Sequence, residues 1–80
     1  MSLPALHSVP KYHVDFILQE PVVNGSQAIA WRRARTVTAQ LSTIPLEGMF
    51  VDLGSGKSWR VHQVIFSMQM ESYRVILRRT

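Results

Sequence analysis

Trp59-Arg60-Val61-His62-Gln63-Val64-Ile65-Phe66 alternates apolar and polar residues, as a strand with one covered face does. The alternation slips by one residue in the middle. Trp59 and Val61 share one parity, and Val64 and Phe66 share the other. A strand that keeps all four on one side must carry an extra residue, a β-bulge. Bulged strands bend, and strong bending is how very small barrels turn their corners.

Working outward, Ser58 to Met68 is the bulged strand, Met68 to Glu71 a tight connection and Ser72 to Arg79 the last strand. With a turn at Gln69-Met70 and the bulge near Gln63, Phe66 faces Tyr73, Val64 faces Val75 and Val61 faces Leu77, all inward. On the outer face Ile65 meets Arg74, His62 meets Ile76, and Arg60 meets Arg78. Upstream, Gly54-Ser55-Gly56-Lys57 is a turn, Met49 to Leu53 a short strand, and Glu47-Gly48 a turn after Ser42-Thr43-Ile44-Pro45. From Arg35 the chain is again a strand, with Val37, Ala39 and Leu41 on one side and Thr36, Thr38 and Gln40 on the other. Tyr12, Val14, Phe16 and Leu18 alternate with His13, Asp15, Ile17 and Gln19 in a further strand. Pro21 ends that strand or confines it to an edge, and Asn24-Gly25 suits a tight turn.

Ser26 to Arg35 has two readings. Ser26 is a good N-cap, and glutamine, alanine and arginine are good helix formers. The same residues also serve as the second arm of an Asn-Gly hairpin, which sets Trp31 opposite Leu18. Residues 1–10 read as an N-terminal tail and 11–80 as one small domain. The fold class is all-β, with one short helix left open: a small, five-stranded, strongly bent antiparallel barrel.

Eighty residues make a small core; a chain of this size buries only about 60% of its unfolded surface. There is no cysteine, so neither a disulfide nor a thiolate zinc site is available, which fits a reducing, cytoplasmic setting. No apolar run approaches the ~20 residues of a membrane helix, and Met1 to Pro10 does not read as a signal peptide. Asn24-Gly25-Ser26 matches the glycosylation sequon but is read as a turn. The net charge of +4 and a pI near 10.4 favour polyanions or acidic partners.

Two motifs imitate nucleotide sites. Phe50-Val51-Asp52-Leu53-Gly54-Ser55-Gly56 looks like the first motif of S-adenosylmethionine methyltransferases, where a Gly-rich turn leads into a helix. Gly56-Lys57-Ser58 imitates the end of a P-loop, but Val51 stands where its first glycine is needed. Both motifs require a helix next, and Trp59-Arg60-Val61 reads as strand. His7, His13 and His62 lie on separate segments without metal-ligand spacing. Asp15, Glu20, Glu47, Asp52 and Glu71 form no catalytic pair, and the serines lie mostly in turns. No catalytic residue, metal or cofactor is expected.

Ile44-Pro45-Leu46-Glu47-Gly48, then Trp59-Arg60-Val61-His62-Gln63-Val64, then Tyr73-Arg74-Val75-Ile76-Leu77 resemble the Sm-like and Src-homology-type barrels, including small phage and bacterial barrels. The resemblance covers about Arg35 to Arg79 and lies at the level of topology. The Sm family's RNA-contact signatures are not reproduced; only Asp52 and Gly54 fall near them. The resemblance implies a small non-enzymatic interaction barrel, of phage or mobile-element origin.

The basic residues carry the remaining signal. Arg60 and Arg78 fall directly opposite each other, a destabilising pair that a protein tolerates for solubility or edge protection or keeps because an anion neutralises it. Arg32, Arg33 and Arg35 flank Trp31, and arginine beside an exposed aromatic suits single-stranded nucleic acid. Arg74 joins this set. The plainer alternative makes Trp31 core and the arginines a solvated rim. Ile17, Ile65 and Ile76 fall on outer faces, which suggests a cover: the N-terminal segment, a helix or another subunit. The expectation is a self-associating, homo-oligomeric interaction or assembly module with a protein partner. The alternative is a nucleic-acid-binding barrel using Trp31, Arg32, Arg33, Arg35, Arg60, Arg74 and Arg78.

Overall fold

The computed structural model describes residues 11–23 and 29–80. The expected tail, His7, the Asn24-Gly25 turn and the Ser26 cap lie outside the described residues. Alternation over the apolar positions produces five strands: β1 (Tyr12–Val23), β2 (Ile29–Leu41), β3 (Phe50–Asp52), β4 (Ser58–Ser67) and β5 (Ser72–Arg79). They form one curled sheet in the order β2-β1-β5-β4-β3. Among the described residues there is no helix, so none is long and apolar enough to cross a membrane.

The helical reading of Ser26 to Arg35 gives way to strand from Ile29 onward. Pairing with β1 at every position of β2 but Ala34 outweighs the helix preference of alanine and arginine, which tertiary context readily overrides. Trp31 pairs with Pro21 rather than Leu18, whose partner is Arg35. Pro21 lies where β1 has run past β5, whose ladder with β1 ends at Gln19 and Arg78, so its missing N–H costs no bond on that side.

The barrel is open and its strands are mixed. β1 and β5 run parallel, whereas β1–β2, β3–β4 and β4–β5 are antiparallel. Edges β2 and β3 do not pair, so the sheet is a half-barrel. The bulge falls where the parity slip requires it, between Val61 and Gln63. Arg60 faces Arg78, Val61 faces Leu77, Val64 faces Val75, Ile65 faces Arg74 and Phe66 faces Tyr73. Gln63, not His62, meets Ile76, and His62 is the extra residue. A second bulge lies between Leu18 and Gln19, with Ala34 the extra residue on β2.

The concave face holds the core: Val14, Phe16, Leu18, Trp59, Val61, Val75 and Leu77. Val37, Ala39, Leu41, Val51, Leu53, Val64 and Tyr73 pack against it, partly buried. Phe66 does not go fully inward; it is 50% exposed. It sits at the open mouth, where its ring stacks on Tyr73 with centroids 4.8 Å apart. Between β3 and β4, Gly54 and Gly56 adopt positive φ, and the Gly54 N–H donates to Asp52 Oδ1 at 2.7 Å. The chain then enters β4 at Ser58, so the helix that both nucleotide motifs need is replaced by strand.

Ser72 is 2% exposed, and its hydroxyl has no hydrogen-bond partner. A buried unpaired hydroxyl costs about 1–3 kcal/mol. Ser72→Ala removes the group and keeps the backbone. The variant is expected to melt at the same temperature as the parent or several degrees above it; a lower midpoint contradicts the assignment.

Candidate functional site

The bulge at Ala34 reverses the parity of β2. Val37, Ala39 and Leu41 share the concave side with Arg35, but beyond the bulge Arg33 and Trp31 lie on the outer side. One row then crosses the outer face from edge to edge: Arg33, Gln19, Arg78, Arg60 and Phe50. Two arginines thus stand on adjacent strands in direct register. The Arg78 guanidinium lies 4.7 Å from the centroid of Trp31, and Arg60 lies 5.7 Å from that of Phe50. The Arg78 Nε donates to Gln19 Oε1 at 3.1 Å. This bond and the Trp31 ring fix the guanidinium plane, leaving its terminal nitrogens without a side-chain acceptor among the described residues.

Charge is distributed unevenly over the two faces. On the concave side Glu20 pairs with Lys57 at 3.7 Å and with Arg79 at 3.4 Å. On the outer side Asp15 accepts from Thr38 Oγ1 at 2.9 Å and lies 3.5 Å from His13. Neither Arg60 nor Arg78 has a carboxylate within 4.0 Å among the described residues. A cleft of about 350 Å³ runs beside them, lined by Trp31, Glu47, Gly48, Arg60, His62 and Arg78, with Thr80 at its end. The backbone sets its far wall. The Gly48 N–H donates to the Val61 carbonyl at 2.8 Å, and the Val61 N–H donates to the Met49 carbonyl at 2.8 Å.

The sequence-derived set is therefore divided. Trp31, Arg60 and Arg78 meet at one site, with Arg33 in the same row. Arg32 lies opposite Glu20 on the other side of the strand, and Arg35 lies opposite Leu18 at the rim of the concave face. Arg74 is on the outer face, in register with Asp15 and Ile65, about 13 Å along β5 from Arg78. Trp31 is half-buried rather than core; the buried tryptophan is Trp59. Phe50, 66% exposed, was not among the expected site residues. Its place was legible: a hairpin at Gly54–Lys57 that pairs Asp52 with Ser58 also pairs Phe50 with Arg60. Among the described residues no group of three acidic or histidine side chains could hold a metal ion.

Ile17 and Ile76 face each other on the outer side, each half-buried, while Ile65 is 39% exposed. At the mouth opposite the arginine row, Tyr12, Phe66, Met68 and Met70 leave much of their apolar surface open. Comparison with protein families, with curated proteins and with solved structures finds no match to this chain.

Proposed function

We propose that this chain is a non-enzymatic assembly module that associates with copies of itself along the free edge of β2. One observation carries the reading. Arg32, Arg33 and Arg35 occupy the first half of this edge strand, whereas Thr36-Val37-Thr38-Ala39-Gln40-Leu41 carries neither charge nor proline. Exposed edges are usually guarded by charge, proline or bulges, and a neutral, β-prone segment, unpaired among the described residues, is a template for another strand. Its inward residues Val37, Ala39 and Leu41 are only partly buried against the core, so a neighbouring strand both extends the sheet and covers them. The finer likeness, to Sm-like or Src-homology barrels of phage and bacterial type, is consistent with an interaction module.

Light scattering across a concentration series is expected to show a mass above that of the single chain. Thr36→Lys combined with Gln40→Lys places like charges along the edge and is expected to return a monomer whose melting temperature at high dilution matches the parent. A parent chain that stays monomeric at high concentration overturns the proposal. So does an oligomer indifferent to both lysines.

A further inference from the structure

We infer that the outer face at Trp31, Arg78, Arg60 and Phe50 binds the phosphodiester backbone of a single-stranded nucleic acid, with a base stacked on Phe50. This goes beyond self-association and does not depend on it: the β2 edge segment and the arginine row use different residues.

Three observations converge on this site. The first is the like-charged pair. Arg60 and Arg78 are held in register on neighbouring strands, an arrangement that weakens a sheet unless something offsets it. No carboxylate offsets it within 4.0 Å among the described residues, so the pair is left open to an anion from outside. The second is orientation. Arg78 is fixed by its Nε bond to Gln19 and by the Trp31 ring, and its open edge offers parallel N–H donors, the geometry that grips phosphate oxygens bidentately. Arg33, exposed in the same row, continues the positive track toward β2. The third is the aromatic at the other end. Phe50 is 66% exposed on a three-residue edge strand, where no other strand of the described residues covers it. An exposed ring beside guanidinium groups is the pairing that single strands use, phosphate on the cation and base on the ring.

Other anions fit less well. A small anion alone leaves Phe50 without a role. An acidic peptide satisfies the arginines but supplies no planar partner for the ring. A duplex keeps its bases stacked inside. Glu47 lines the cleft as well, and its carboxylate disfavours a phosphate on that wall, which places the strand along the Arg33–Arg78–Arg60–Phe50 row.

Fluorescence anisotropy of labelled oligothymidylate with the full chain tests the inference. Binding is expected at about 50 mM salt and should weaken steeply toward about 200 mM. Arg60→Gln and Arg78→Gln should each weaken binding about tenfold and flatten the salt slope by about 0.7. Phe50→Ala should also cost about tenfold while leaving the salt slope unchanged. Arg32→Gln, on the opposite side of β2, should change affinity less than twofold. Each variant's melting curve is recorded, so that binding loss through unfolding is recognised; Phe50, Arg60 and Arg32 are exposed, so the Phe50 and Arg32 variants should melt with the parent and Arg60→Gln, which relieves the charge opposite Arg78, with the parent or slightly above it. Three outcomes overturn the inference. One is no binding at low salt. Another is polyglutamate binding as tightly as the oligonucleotide, which identifies an acidic protein surface instead. The last is equal weakening by Arg32→Gln and Arg60→Gln, which reduces the effect to net charge.

Discussion

Trp59→Ala is expected to remove a large part of this chain's stability, the largest loss of any single substitution considered. Trp59 is 3% exposed and belongs to the set of seven buried apolar residues that make up the core. It stands between Arg79 on β5 and Val51 on β3, so its ring carries the contact between the central strands and the short edge strand. Truncating a buried tryptophan costs about 3–5 kcal/mol. Domains of this size possess only about 4–12 kcal/mol in total. The indole N–H makes no hydrogen bond, so the loss is one of packing, and Trp59→Phe, which keeps a ring and removes the orphan donor, should cost much less. Trp31→Ala is the control. Trp31 is half-buried at the outer edge, and its ring lies 4.7 Å from the Arg78 guanidinium, a contact worth about 0.5–1 kcal/mol at an exposed site. Urea unfolding monitored by far-ultraviolet dichroism separates the three. Near-equal midpoints for Trp59→Ala and Trp31→Ala would show that the concave face is not the core.

The difference between the two tryptophans marks where sequence reading reaches its limit. Trp59 belongs to a strand whose own parity carries the information: Trp59, Val61, Val64 and Phe66 fit one face only if a residue is extra, and the bulge is found there. Within the β4–β5 hairpin a short turn fixes the register, so the facing of Arg60 and Arg78 was legible too. Trp31 depends on a second bulge, at Ala34. The signal existed, since an unbroken β2 would place Arg33 and Arg35 on the same side as Val37, Ala39 and Leu41. Helix-forming residues in the same stretch masked it, and only pairing with β1 decides between the two. The parallel β1–β5 ladder was not legible at all. Val14, Phe16 and Leu18 alternate equally well beside a parallel or an antiparallel neighbour. Strand direction is set by how the β1–β2 hairpin and the β3–β4–β5 meander dock, and that is a property of the whole chain. The site inherits the same limit. Its two arginines and Phe50 come from consecutive hairpins, but the Trp31 ring comes from β2, beyond the second bulge.

Removing one residue from β4 should destabilise the protein strongly at one position and be tolerated two positions away. Deleting His62 takes out the bulge residue itself. The remaining Trp59, Arg60, Val61, Gln63, Val64, Ile65 and Phe66 then alternate without a slip. Every core residue keeps its face and its partner on β5, and the loss is confined to the bend. Deleting Arg60 has no such escape, although Arg60 is exposed. If Val61 stays opposite Leu77, Trp59 turns outward and its burial is lost. If the strand instead absorbs the deletion by straightening the bulge, Trp59 stays inward, but Val61 moves to the outer face and His62 enters the core opposite Leu77. Burying a valine is worth about 1.5–3 kcal/mol, and an imidazole placed there without a partner adds a desolvation penalty. Either route therefore costs about 3 kcal/mol or more, against less than half of that for the His62 deletion. Arg60→Gln, which leaves the chain length unchanged, should melt with the parent or slightly above it, since it relieves the charge opposite Arg78, so the loss on deletion belongs to parity and not to the guanidinium. Equal stability of the two deletions would remove the bulge from its role in placing the core.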